Sequence, residues 1–177
     1  MAKVKLTTPV NESEIRDLQA GDKIELSGVV YTARDAAHSR LVDALERGAE
    51  LPFELAGSAL YYVGPAPAKP GEVIGSAGPT TSYRMDPFTP QLLKEGLKVM
   101  IGKGDRSEDV ITAMQEEGAV YLAATGGAAA LISECIKETE IIAYPDLETE
   151  AVRKLVVEKL PLICVIDSYG KNLYNRK

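Results

Sequence analysis

The chain has 177 residues, 45% of them hydrophobic and 26% charged, and a net charge of −6, enough for one domain that buries roughly 70% of its unfolded surface without disulfide or metal staples. Two cysteines, Cys135 and Cys164, a single histidine and no CxxC exclude a self-sufficient zinc or iron–sulfur site, which takes three or four closely spaced ligands. The acidic balance argues against nucleic acid as a partner; no apolar run approaches the ~20 residues of a membrane span and Met1 to Val10 lacks a signal-peptide layout, so a soluble cytoplasmic protein is expected.

Lys3 to Leu6 alternates as an edge strand or a docking arm would, and residues 1–20 as a whole form a candidate N-terminal docking arm on a single domain of residues 1–177. Asn11 opens a short helical turn that ends at Ala20-Gly21-Asp22. Lys23 to Thr32 reads as a strand with a bulge or close approach at Gly28. Asp35 can cap a helix whose Ala37, Leu41 and Leu45 share one face and which Gly48 stops. Ala59 to Val63 is a strand, and the proline-rich stretch Gly64 to Gly71 is a loop. A helix start is expected near Thr80 or Thr81.

Regular alternation follows: helix from Pro90 to Gly96, strand Lys98 to Ile101, helix Glu108 to Glu117, strand Ala119 to Ala124, a helix opened by Gly126-Gly127 through Cys135, and a strand at Ile141 to Ala143. Ala151 to Leu160 fits either a helix or a hairpin arm, and Leu162 to Ile166 is a strand leading into the turn Asp167-Ser-Tyr-Gly-Lys-Asn. The alternation predicts an α/β fold with a mostly parallel core sheet covered by helices.

Three motifs stand at predicted strand-to-helix junctions, where α/β proteins place their ligands. In Thr32-Ala-Arg-Asp-Ala-Ala-His38, Arg34 opposes the helix dipole and is therefore not there for local helix stability. A surface ion pair with Asp35 is the plain alternative, and His38, one turn on, can satisfy a local hydrogen bond. Gly78-Pro-Thr-Thr-Ser-Tyr-Arg84 combines backbone N–H groups, two hydroxyls and an arginine that together suit an anion, or else is ordinary threonine capping. Ile101-Gly-Lys-Gly exposes Lys103 on a loop that other groups can approach closely, and it also fits a plain turn. Tyr121-Leu-Ala-Ala-Thr-Gly-Gly-Ala-Ala offers a further glycine-lined helix N-terminus without a Walker pattern. If the strand ends converge, Arg34, Arg84 and Lys103 make a local cationic pocket suited to a small dianion such as a dicarboxylate.

These motifs, with the tail Val165-Ile-Asp-Ser-Tyr-Gly-Lys-Asn-Leu-Tyr, strongly resemble the β subunit of class I iron–sulfur hydro-lyases, the two-subunit fumarate hydratases and tartrate dehydratases. The resemblance covers essentially the whole chain in order. It implies a layered β/β/α fold of the swivelling-domain type and reversible hydration of fumarate to L-malate. It also implies a [4Fe–4S] cluster whose open iron acts as a Lewis acid and whose cysteines lie on a partner α subunit, in an α2β2 assembly. By the same resemblance Arg34, Arg84 and Lys103 contact the substrate carboxylates. Thr80, in preference to Thr81, is the candidate base, and Asp35 and His38 orient Arg34. Tartrate is the alternative substrate. A non-catalytic dicarboxylate-binding or scaffold module is the alternative of a different class.

Overall fold

The computed structural model describes residues 3–124 and 129–175. Among them run β1 (Lys3–Thr7), α1 (Glu12–Asp17), β2 (Lys23–Thr32), α2 (Asp35–Glu46), β3 (Ala59–Tyr61), α3 (Thr89–Lys94) and β4 (Val99–Gly102). They are followed by α4 (Glu108–Glu117), β5 (Val120–Ala124), α5 (Ala129–Cys135), β6 (Ile136–Ala143) and β7 (Val152–Ile166). The expected α/β class is met. The sheet, however, is mixed where the alternation predicts a mostly parallel layer: β1–β2, β2–β3, β3–β4 and β4–β5 pair parallel, whereas β7 pairs antiparallel with β2, β5 and β6.

The difference comes from β7. All but the first of residues 151–160, open between helix and hairpin on sequence, run with residues 161–166 in one 15-residue strand. Along one edge β7 pairs with β2 from Lys154 to Ile163; along the other it meets β6 with its first half and β5 with its second. The ring β2–β3–β4–β5–β7–β2 thereby partly closes the sheet into a barrel, with β1 and β6 outside the ring. A bulge at Gly28, φ +107, shifts the β2–β7 register, and a Cβ there would press into Thr8.

Strand periodicity sorts the side chains into two cores. Ile24, Leu26, Tyr61, Val99, Ile101, Val120, Leu122, Leu155 and Cys164 share one buried cluster. Their neighbours Leu60, Tyr62, Met100, Tyr121 and Val165 form the second with Leu41, Leu92, Leu93, Val110 and Met114 of the helices. The first fills the barrel and the second lies beneath the helical cover. Residues 3–20, the candidate docking arm, fold onto this chain's own sheet: β1 pairs with β2, and Leu6, Ile15 and Leu18 are buried in the first core. The helix start expected at Gly126-Gly127 lies outside the described residues.

Candidate active site

Parallel register brings the ends of three strands level. Thr32 pairs with Tyr61, and Tyr61 with Ile101, so the chain leaves β2, β3 and β4 at the same rim. Arg34 follows β2 by two residues and Lys103 follows β4 directly. The threonine segment crosses between them: the Thr80 N–H donates to the Tyr62 carbonyl (2.7 Å), Thr81 forms a parallel bridge with Lys103, and the Ser82 N–H donates to the Lys103 carbonyl (2.9 Å). Gly102 permits this crossing, because a Cβ there would fall on the Ser82 hydroxyl and within 2.8 Å of the Tyr62 ring.

The helix start expected at Thr80 or Thr81 is instead a single 3-10 turn over Ser82–Met85, and the Thr81 side chain makes no capping bond. The segment bonds to the sheet through the Thr80 and Ser82 N–H groups on either side of it, so capping does not account for the Thr81 hydroxyl, and a four-residue turn adds little dipole. Arg84 lies on this turn with its Nη1 3.9 Å from Asp35 Oδ2. Asp35 does not cap α2; Arg34 occupies the N-cap position without a side-chain cap bond, and Asp35 begins the helix.

The acid that serves the α2 start comes from far along the chain, since Glu150 accepts the Ala36 N–H (3.4 Å). Arg34 Nε is 3.9 Å from both Asp35 Oδ1 and Glu150 Oε1 and has no hydrogen-bond partner. Both arginines are thus held near carboxylates at distances too long for hydrogen bonds, and Arg34 Nε is itself buried. Gly64, after β3, makes room for Arg34, whose Cδ lies 3.2 Å from where a Cβ would stand.

His38 is fully buried. Its Nδ1 lies 2.9 Å from the Arg34 carbonyl, which can only accept, so Nδ1 carries the proton and the ring anchors the main chain of Arg34. Burial pushes the imidazole down to about 4 against the opposing effect of that hydrogen bond, so His38 is neutral at physiological pH. Arg34, Asp35, His38 and Arg84 therefore form one contiguous group, and Thr80, Thr81 and Lys103 form another joined to it through Ser82 and Tyr62. A cleft of about 750 Å³ lies elsewhere, between residues 66–76 and the α5–β6 junction, and none of these residues lines it.

Residues 1–177 match the sequence profile described as Fumarase C-terminus. The chain belongs to that family. Relatives of this fumarase C-terminal domain include a protein of Escherichia coli named Fumarate hydratase class I, anaerobic, 35% identical over 98% of this chain and 32% of its own length. Fumarate hydratase 1, mitochondrial, of Leishmania major is 37% identical over 98% of this chain and 32% of its own length. A Methanocaldococcus jannaschii protein provisionally named L(+)-tartrate dehydratase subunit beta is 35% identical over 93% of this chain and 88% of its own length. The chain thus spans about a third of the fumarate hydratases it matches.

Several further residues border the rim without standing among the sequence motifs. Glu150 carries no local signal, being placed by the fold alone. Asp86 stands two residues beyond the Gly78-to-Arg84 motif and Arg106 follows Lys103 by three residues; their pairing, Nε to Oδ1 at 2.7 Å, is inside the fold. Cys164 sits in the barrel core, where burial pushes its thiol up, and Cys135 donates weakly to the Lys159 carbonyl with its thiol also raised by burial. Among the described residues no group of three or more His, Cys, Asp or Glu is placed to hold a metal ion.

Proposed function

We propose that this chain is the β subunit of a two-subunit hydro-lyase that reversibly hydrates fumarate to L-malate in the cytoplasm. The observation that carries the reading is the gathering of Arg34, Arg84, Lys103, Thr80 and Thr81 at one end of β2, β3 and β4. Family membership supports it. Arg34 and Arg84 would take one substrate carboxylate each through paired N–H donors, and Lys103 would add a point charge. Thr80 would accept the C3 proton of malate during dehydration, while hydroxide leaves C2. A neutral hydroxyl is a weak base, and the flanking cations favour its deprotonated form. Asp35 and His38 hold Arg34 in place.

The [4Fe–4S] cluster would belong to an α subunit, in an α2β2 assembly, since the cysteines of this chain do not suit it. L-tartrate dehydration is the second reading, favoured by the Methanocaldococcus relative that this chain matches over most of its length. A non-catalytic dicarboxylate-binding or scaffold module would have no need of the threonines beside three cations. Anaerobic co-expression with a cluster-bearing partner, assayed in parallel with malate, fumarate and tartrate, tests the proposal. Turnover of malate and fumarate by the complex, and none by the chain alone, is the expected result. Hydration by the lone chain, or binding without turnover by a cluster-loaded complex, would overturn it.

A further inference from the structure

Beneath the rim lies a charge that the proposed chemistry does not use. The Arg106 side chain is fully shielded from solvent, so it cannot touch a substrate. Each of its three nitrogens nevertheless has an oxygen acceptor: Nε donates to Asp86 Oδ1 (2.7 Å), Nη1 to the Tyr62 hydroxyl (3.1 Å) and Nη2 to Thr89 Oγ1 (2.9 Å). The Tyr62 and Tyr121 rings also flank it, with centroids 5.1 and 5.0 Å away. Burying a guanidinium costs more than an apolar residue of similar volume would, so stability is a poor reason for placing one here.

The neighbours of Arg106 supply a better reason. Asp86 stands two residues after Arg84, and its second oxygen takes the Ser107 N–H (2.9 Å), so the pair ties the Arg84 turn to the loop that carries Lys103. Tyr121 makes a second tie: its hydroxyl donates to the Gly104 carbonyl (2.7 Å), which leaves Ser82 Oγ to donate to Tyr121 (2.7 Å). Tyr62 makes a third, because its carbonyl holds the Thr80 N–H and its ring meets His38 edge-on at 5.3 Å, next to the anchor of Arg34. All three rim segments are therefore joined through side chains in contact with Arg106.

We infer that Arg106, acting through Asp86, Tyr62 and Tyr121, is the positioning residue that sets the spacing of Arg34, Arg84, Lys103 and the two threonines. Its kinetic consequences rest on the dicarboxylate reading above; its geometry does not. Two substitutions test it. Arg106→Lys keeps the charge and loses the planar fork, and Asp86→Asn keeps the volume and loses the counter-charge.

Two readouts separate this role from a merely structural one. In amide hydrogen exchange on the full chain, the Thr80 and Ser82 N–H groups should exchange on the order of tenfold faster while the amides of β2 and β7 keep wild-type protection. In the reconstituted complex, KM for malate and Ki for succinate, a non-reacting dicarboxylate, should rise on the order of tenfold to a hundredfold as the clamps lose register. Should Arg106→Lys not fold, Asp86→Asn carries both readouts. A folded variant with wild-type exchange at Thr80 and Ser82 and wild-type KM would overturn the role. Faster exchange with unchanged KM would also overturn it as a substrate-positioning device. If Arg34→Lys and Arg84→Lys leave KM unchanged as well, the dicarboxylate reading has failed, and the exchange data alone decide whether Arg106 sets the rim.

Discussion

Acidification should weaken this domain through one buried ring. His38 is neutral in the folded chain because burial holds its imidazole down at about 4, against an ordinary value of 6.5. Between those limits the unfolded chain binds a proton that the folded chain refuses, so stability rises with pH across this window and falls as pH drops from 6.5 toward 4. At about 1.36 kcal/mol per pH unit, the gap comes to about 3 kcal/mol, a large share of a typical domain's total stability. Urea unfolding of the full chain at pH 8, 6.5, 5 and 4 measures it against His38→Asn, whose amide can still donate to the Arg34 carbonyl but does not titrate here. Carboxylates titrating in the same range affect both chains alike, and the difference between the two curves isolates the ring. The wild type should lose about 3 kcal/mol more than the variant between pH 6.5 and 4. Parallel curves would refute the claim that His38 is buried and neutral, and with it the anchoring of Arg34.

Arg34→Lys and Arg84→Lys preserve charge and remove the fork, so each should cut kcat/KM of the reconstituted complex by roughly ten- to a hundredfold with assembly intact; wild-type kinetics would remove that residue from the site. Thr80→Val should lower kcat by about 100-fold or more with substrate affinity still measurable, and Thr81→Val should be milder; the opposite order in steady-state assays would reassign the base. Gly102→Ala drives a methyl group into the Ser82 hydroxyl and the Tyr62 ring and should cost about 1–3 kcal/mol of stability; thermal melts equal to wild type would show that the rim tolerates what the packing forbids. The double variant Cys135→Ala, Cys164→Ala should still reconstitute active complex if it folds, and loss of bound iron from a folded complex would show that this chain supplies a ligand.

Local chemistry explains which parts of this protein were legible in its sequence. Helix α4 begins and ends where short-range signals put it: the Ser107 side chain accepts the Val110 N–H, and Gly118 closes the helix at φ +71. Strand β2 spans Lys23–Thr32 as expected, because period-two alternation and a bulge glycine are visible without any partner. The cations and threonines of the rim were legible as residue types at strand ends, since charge and hydroxyl chemistry are properties of the single residue. Pairing direction was not legible. Val152–Ile166 contains the same β-branched and leucine residues whether it adds to a parallel layer or curls back antiparallel to close a barrel, and its neighbours β2, β5 and β6 are distant in sequence. The same holds for side chains whose meaning depends on what faces them. Thr81 reads as a cap until Lys103 pairs with it, Asp35 reads as a cap until Glu150 takes the helix N–H, and Arg106 carries no local signal before the fold encloses it with Asp86 and two tyrosines. Periodicity and capping are interactions within a few residues, which a sequence displays directly; strand partners and buried ion pairs join residues far apart in the chain, and only the closed barrel decides them.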